Sequence, residues 1–229
     1  VDLYDKKLIL RADKMINWCT HDGALSDIEV QHEENAGKLY YLRYFLKDSD
    51  EFVVVATTRP ETYFGDTAVM INPQDERYKH LLGKKVLLPL VNKELAIIAD
   101  EYVDMSFGTG VVKVTPAHDS NDYEVGLRHD LEFLTIFDEK GILNEHCLEF
   151  KGLERLEARE KIVARLQEKG YVEKIEDYTN QVGYCYRCHN VVEPYISKQW
   201  FVSKDIARES IEKVNSGQMK FFPSHWINS

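Results

Sequence analysis

Apolar residues along this chain gather mostly in short runs bounded by turn-forming residues, a pattern that favours strands over long amphipathic helices. Met15-Ile-Asn-Trp-Cys19 reads as a strand, with turn chemistry at Thr20-His-Asp-Gly23. From Leu39 to Leu46 nearly every residue is aromatic or aliphatic, and Phe52 to Ala56 matches it across the polar Lys47-Asp-Ser-Asp50. That pattern predicts a β-hairpin with both strands largely buried. Further strands are predicted at Asp66–Ile71, Val86–Leu90, Leu95–Ala99 and Phe133–Phe137. Asn72 at a cap, Pro73 at the first helical position and acids in the first turn predict a helix that stops at Gly83. The clearest helix runs from Leu153 to Gly170, with Leu153, Leu156, Ile162, Val163 and Leu166 near one face and Gly170 as its stop. Past about Tyr178 the character changes: Gln181–Tyr186, Val191–Ile196 and Gln199–Val202 read as short strands, followed by a helix from about Asp205 to Val214.

One stretch carries more chemistry than the rest, Phe107-Gly-Thr-Gly-Val-Val-Lys-Val-Thr-Pro-Ala-His-Asp-Ser-Asn-Asp122. Gly108 and Gly110 allow a tight turn, Val111 to Thr115 reads as a buried strand, and Pro116 ends it. A short connection with His118, Asp119 and Asp122 leads into a helical pattern through Tyr123, Val125, Leu127 and Arg128. Lys113, Thr115, Asp119 and Asp122 should therefore meet where a strand ends and a helix begins. A cation, a hydroxyl and two carboxylates there could hold a small zwitterion bearing a hydroxyl group. The plainer reading is that Asp119 caps the helix while Asp122 sits near the positive end of its dipole. His118, just before the cap, more often orients such a turn than acts as a base.

The 229 residues suffice for one large or two small domains, and a hydrophobic fraction of 44% with 30% charged residues describes an ordinary globular chain. No membrane-spanning run and no signal-peptide pattern is apparent, so a cytoplasmic location is expected. A net charge of −10 argues against a module that grips a nucleic-acid backbone unaided. If RNA is a substrate, only a short end of it should enter. Four cysteines do not make a disulfide framework, and Cys185-Tyr-Arg-Cys188 looks like half of a metal site.

Two separated segments resemble one family. Ala56-Thr-Thr-Arg-Pro-Glu-Thr62 followed by Gly65-Asp-Thr-Ala68, together with the stretch from Phe107 to Asp122, closely resemble the editing insertion of class I aminoacyl-tRNA synthetases. The resemblance extends over nearly the whole chain, from Asn17-Trp-Cys19 and Leu25-Ser-Asp27 to Gln199-Trp200 and Pro223-Ser-His-Trp226. Arg59 with Glu61 opposes an isoleucyl-type motif, and Lys113 with Thr115 opposes a leucyl-type one, which leaves the valyl branch. The aminoacylation signatures His-Ile-Gly-His and Lys-Met-Ser-Lys-Ser do not occur.

The resemblance implies an α+β fold: a β-rich, barrel-like editing domain of class I aminoacyl-tRNA synthetases with a small zinc-ribbon-like stem. It divides the chain into a stem and lead-in segment at 1–35, an editing core at 36–177 and a ribbon-like return segment at 178–229. It implies hydrolysis of threonine misattached to tRNA(Val), the partners being the 3′ end of that tRNA and the remainder of a parent synthetase, with no membrane and a monomeric state. Asp119 is expected to take the α-ammonium group, with Lys113, Thr115 and Asp122 reading the threonine side chain and placing a water. Arg59, with Thr57 and Thr58 nearby, is expected to meet the terminal adenosine or its phosphate, and Phe107 to support the adenine or close the pocket. Editing needs no cofactor; ATP and Mg belong to an aminoacylation domain outside this chain. A structural zinc is the one metal in question. Cys185 and Cys188 would form one half of its site and Cys19 part of the other, with Cys19-Thr-His-Asp22 lacking a second cysteine and His21 or His189 able to complete the set. A decayed ribbon with free thiols is the alternative. The rival functions are an editing domain of leucyl or isoleucyl type and a noncatalytic zinc-ribbon module that binds RNA.

Overall fold

Two long strands run through most of the architecture. β1 (Ile9–Cys19) and β2 (Gly23–Leu25) form a hairpin, β3 (Val30–Leu46) follows, and β4 (Phe52–Thr57) returns along it from Tyr40↔Thr57 to Phe45↔Phe52. The computed structural model describes residues 1–228. After β4 the chain makes a fully buried 3-10 turn (Pro60–Gly65), then β5 (Ala68–Ile71), β6 (Lys85–Leu87), β7 (Glu94–Ala99) and β8 (Val111–Val114). β9 (Val172–Cys185) pairs with β3 from Val30↔Cys185 to Leu42↔Val172, with an irregularity between Tyr41 and Leu42. The resulting seven-stranded sheet has the order β4-β3-β6-β7-β5-β8 with β9 on β3, and curls into a half-barrel. β10 (Val192–Val202) joins a second sheet of order β10-β1-β2.

Of the helices, α1 (Asp2–Asp5) is a single turn, and α2 (Ser120–Arg128) follows β8. α3 (Arg155–Glu168) buries Ala158, Ile162, Val163 and Leu166, and Glu154 caps it by accepting from the backbone N–H groups of Leu156 and Glu157. α4 (Arg208–Asn215) lies near the C-terminus. The chain separates into two units, Met15–Ile196 and a smaller one formed by residues 1–14 with the chain from Ser197 onward. In the larger unit, Leu42, Tyr44, Val55, Tyr63, Phe64, Ile71, Leu95, Ile136, Phe137 and Ile162 share one core. In the smaller, Tyr4 meets Trp200 edge-on at 6.0 Å and the Ser203 N–H donates to the Leu8 carbonyl. None of the helices among the described residues is long and apolar enough to cross a membrane.

The expected hairpin, the strands at 66–71, 95–99 and 111–115 and the helix at 153–170 occur within a few residues of their predicted bounds. The short strands expected at 191–196 and 199–202 are one continuous strand, β10, the one expected at 181–186 is the end of the longer β9, and two expected elements do not form. The helix expected after Asn72 is replaced by turns and a short 3-10 segment (Lys79–Leu81), because local side-chain bonds capture the backbone. Asn72 Oδ1 accepts from Gln74 N, and Asp75 takes both the backbone N–H and the guanidinium of Arg77, while the intervening polar residues offer no stripe to bury. Of the strand expected at Phe133–Phe137, Ile136 and Phe137 are buried but the segment forms no ladder. Its backbone is satisfied by other groups: Ile136 N donates to His118 Nε2, and Asn144 donates to the carbonyls of Thr135 and Ile136.

Glu61, in the 3-10 turn, is fully buried and accepts a two-pronged bond from Arg159 of α3 at 2.7 and 2.8 Å. Burial would raise its carboxyl pKa, but Arg159 and Arg59 outweigh that and hold it below the usual range. Glu61→Ala should cost about 3–5 kcal/mol, because it strands two arginines that the fold holds against this carboxylate; urea unfolding of the variant beside the parent measures it.

Candidate active site

Eight of the residues picked out by sequence, Thr57, Thr58, Arg59, Phe107, Lys113, Thr115, Asp119 and Asp122, line one cleft of about 350 Å³. Its walls are the end of β4 with the following turn, the end of β8, and the start of α2; Leu39 of β3 and Tyr178 and Asn180 of β9 complete it. A larger depression, about 590 Å³, lies near residues 45–50 and 87–92. Its charged groups are Asp48, Asp50 and Lys169, and no buried polar network stands behind it, so the chemistry favours the smaller cleft.

Behind that cleft sits Asp66, fully buried where the chain enters β5. It accepts from Tyr44 OH at 2.6 Å, Lys113 Nζ at 3.0 Å and Thr115 Oγ1 at 2.5 Å, while Lys113 also donates to Thr115. Burial pushes the Asp66 carboxyl up against the pull of Lys113. An ammonium has three donors, so Lys113 keeps one N–H for the cleft. Gly65 makes this packing feasible: a Cβ there would stand 3.0 Å from the Leu134 carbonyl and 3.1 Å from Thr115 Cγ2.

Asp119 is the N-cap of α2, its Oδ1 accepting from Asn121 N at 2.9 Å and Asp122 N at 3.0 Å. The capping reading therefore holds, and it leaves Oδ2 for a ligand. Asp122 accepts from Thr115 N through Oδ2 at 2.8 Å. Its pKa is raised to about 7, first by burial and then by the charge of Asp119. His118 is no base. Its Nε2 accepts from Ile136 N, and burial with Arg59 and Lys113 nearby lowers its pKa well below the usual range, so the ring is neutral. Its carbonyl accepts from Arg59 Nη1 at 2.7 Å, which ties the two sequence segments together. Arg59 is otherwise engaged by Glu193 and lies 3.5 Å from Glu61, so its guanidinium first of all fixes the cleft wall. Phe107, by contrast, is exposed at the rim.

Sequence reasoning did not single out Asp66, Tyr44, Tyr102 or Asn121. Asp66 lies inside the Gly65-Asp-Thr-Ala68 segment, but only its complete burial distinguishes it from an ordinary turn aspartate.

The cysteines divide three to one. Cys19, Cys185 and Cys188 come together with Asp22, their ligand atoms all within 4.8 Å of one another, a cluster able to bind a metal. Cys147 lies apart in the main core, donating to the Ile136 carbonyl, and burial pushes its thiol up to about 12. Neither His21 nor His189 enters the cluster.

A chain with this curled sheet and cleft matches the family model of class I tRNA synthetases (I, L, M and V) across residues 1–228, and it belongs to that family. Its relatives are more specific. It is 73% identical over all 229 residues to the valine--tRNA ligase of Campylobacter jejuni (strain RM1221), 67% to that of Wolinella succinogenes, and 56% over 228 residues to that of Thermotoga maritima. The chain spans 26% of the length of each of these relatives.

The raised Asp122 pKa has a stability consequence. The unfolded carboxyl titrates near 3.9 and the folded one near 7, so the stability it contributes is complete below about pH 4 and lost as pH rises through about 7. Asp122→Asn, which can still accept from Thr115 N, abolishes that dependence. Urea midpoints at pH 5 and pH 8 should shift in favour of the variant at the higher pH.

Proposed function

We propose that this chain is the editing domain of a valine--tRNA ligase, hydrolysing the ester of threonine misattached to tRNA(Val). The observation that carries the reading is the placement of Lys113, Thr115, Asp119 and Asp122 around one cleft, with a carboxylate whose pKa lies near 7 among them. An apolar synthetic pocket distinguishes threonine from its isostere valine only about a hundredfold, a value established with valyl enzymes themselves. A polar second site inverts the preference, since each buried hydrogen-bonding group left unpaired by valine costs roughly 1–3 kcal/mol.

In this reading the Asp119 oxygen not used in capping takes the α-ammonium group, and the remaining Lys113 N–H with Thr115 reads the β-hydroxyl. Asp122 accepts a proton from the water as its oxygen attacks the ester carbon. The tetrahedral intermediate then collapses, expelling the ribose oxygen of the tRNA, which takes up a proton. No cysteine or serine lines the cleft and His118 is neutral and engaged, which favours direct attack by water over a covalent intermediate. The exposed Phe107 offers a face for the terminal adenine, with Thr57, Thr58 and Arg59 on the wall beside it. The acidic net charge leaves the grip on the tRNA body to the rest of a parent synthetase, as a monomer in the cytoplasm. The division into an editing core at 36–177 flanked by stem segments at 1–35 and 178–229 belongs to the same proposal. So does a structural zinc at the cysteine cluster, which lies outside the residues of the cleft.

Deacylation of threonyl-tRNA(Val) and valyl-tRNA(Val) by the chain and its variants tests this. The threonyl ester should be released far faster, at a rate that rises about tenfold per pH unit and levels off near pH 7. Asp122→Asn should lose about 10²–10⁴-fold and the rise with pH, Lys113→Ala should lose threonine preference, and Asp119→Ala should slow release of both esters alike. Full activity in all three variants would remove the assignment.

A further inference from the structure

We infer that Asp22 is the fourth ligand of a zinc site of three cysteines and one aspartate. This rests on the reading of the cysteine cluster as a structural zinc site, and adds to it the residue that completes the donor set. Cys19-Thr-His-Asp22 repeats the spacing of Cys185-Tyr-Arg-Cys188 with a carboxylate in place of the second thiol. Each segment is a turn at the end of a strand, the first closing the β1–β2 hairpin and the second following β9 and closed by the isolated Tyr184↔Val191 bridge, so both present their donors from similar positions.

The distances fit one small cation. Zinc bonds of about 2.3 Å to sulfur and about 2.0 Å to oxygen give tetrahedron edges of roughly 3.8 Å between two sulfurs and roughly 3.5 Å between sulfur and oxygen. Here Cys19 Sγ lies 3.4 Å from Cys188 Sγ, and Asp22 Oδ2 lies 3.8 Å from Cys19 Sγ and 3.3 Å from Cys185 Sγ. Three thiolates and a carboxylate carry the same total charge as four thiolates, so the exchange keeps the electrostatics of a four-cysteine site; a histidine in that place would not.

Both histidines are accounted for elsewhere. His21 has a largely exposed ring whose Nδ1 lies 3.2 Å from Asp22 Oδ1, the carboxylate oxygen turned away from the thiols, so it acts as an outer partner that orients the ligand. The His189 ring stacks on Tyr184 at 4.6 Å and faces Glu33 at 3.8 Å. The backbone of Asp22 donates to Cys19 Sγ at 3.4 Å, the kind of N–H to sulfur bond that stabilises a thiolate.

The test is to strip the chain with chelator and reload it with Zn(II) or Co(II), following metal content and the sulfur-to-cobalt charge-transfer absorption. The expected result is one metal per chain and an absorption equal to three thiolates. Asp22→Cys should raise that absorption by about one third, and Asp22→Ala should weaken affinity at least tenfold, since even outer partners of a ligand contribute that much. His21→Ala and His189→Ala should keep the three-thiolate spectrum. Unchanged affinity and spectrum in Asp22→Ala, or an Asp22→Cys spectrum identical to the parent, would overturn the assignment while leaving a zinc site in place. No uptake by the parent, with Cys19 and Cys188 recovered as a disulfide or as free thiols, would overturn both.

Discussion

The cleft depends on a chain of buried charges. Arg59, Glu61, Arg159, Glu193 and Arg155 alternate in sign: Glu61 joins Arg59 to Arg159, and Glu193 joins Arg59 to Arg155, the latter at 2.6 Å. Glu61 and Glu193 are almost wholly buried, and so is Arg155. Glu61, Glu193 and Arg155 alone would each cost several kcal/mol to bury, and the half-buried Arg59 and Arg159 help to offset the loss of water. The set connects the turn after β4, the helix α3 and the strand β10. A sequence as polar as Thr57-Thr-Arg-Pro-Glu-Thr62 can line the interior because its charges are matched on both sides. The cleft wall is thus an electrostatic product more than a hydrophobic one.

Beside that wall stand two aspartates with opposite uses. Asp66 is deeper, yet Tyr44, Thr115 and the Lys113 ammonium all donate to it, so it serves as an anchor that aims Lys113 and Thr115. Asp122 is nearly as buried but receives a single protein hydrogen bond, and it faces the charge of Asp119. What separates the two is the number of partners: Asp66 is held by three donors, whereas Asp122, with one, is left with an oxygen for the cleft. The cap of α2 has a part in both. By fixing Asp119, it holds the like charge that raises Asp122.

Much of this is legible in the sequence. Glycines, the β-branched run and Pro116 defined the turn, strand and stop around Lys113 and Thr115, and Asp119 read correctly as a cap. What sequence could not show was where buried polar groups find partners. Nothing local marks Asp66 as the hub or pairs Glu61 with Arg159, because such pairings join residues far apart in the chain. The first half of β3 and most of β9 were also missed, and the reason is physical. Val30 to Lys38 and Val172 to Asn180 are polar or exposed on both faces, so alternation carries no signal, and the strands hold together by backbone bonds. Asp22 escaped notice because a carboxylate in a turn is ordinary until three thiols surround it.

That two-sided polar ribbon is what joins the cysteine cluster to the cleft. Strands without a buried face specify their register weakly, and a slip of one residue would carry Tyr178 and Asn180 to the opposite face, away from the cleft. Register is fixed at the near end by the buried residues from Leu39 to Leu46, but their influence fades along the exposed half of β3. At the far end two features pin it. Gly183 lies so close to Val30 that a Cβ would stand 2.8 Å from Cγ1, which any shift bringing another residue there would violate. Cys185, paired with Val30, is held in the cluster with Cys19 and Asp22 of the neighbouring hairpin. Seven residues of strand, about 23 Å, separate Cys185 from Tyr178. Across that distance the cluster has no direct contact to offer the cleft, and its contribution is to keep β9 in the one alignment that points Tyr178 and Asn180 into it.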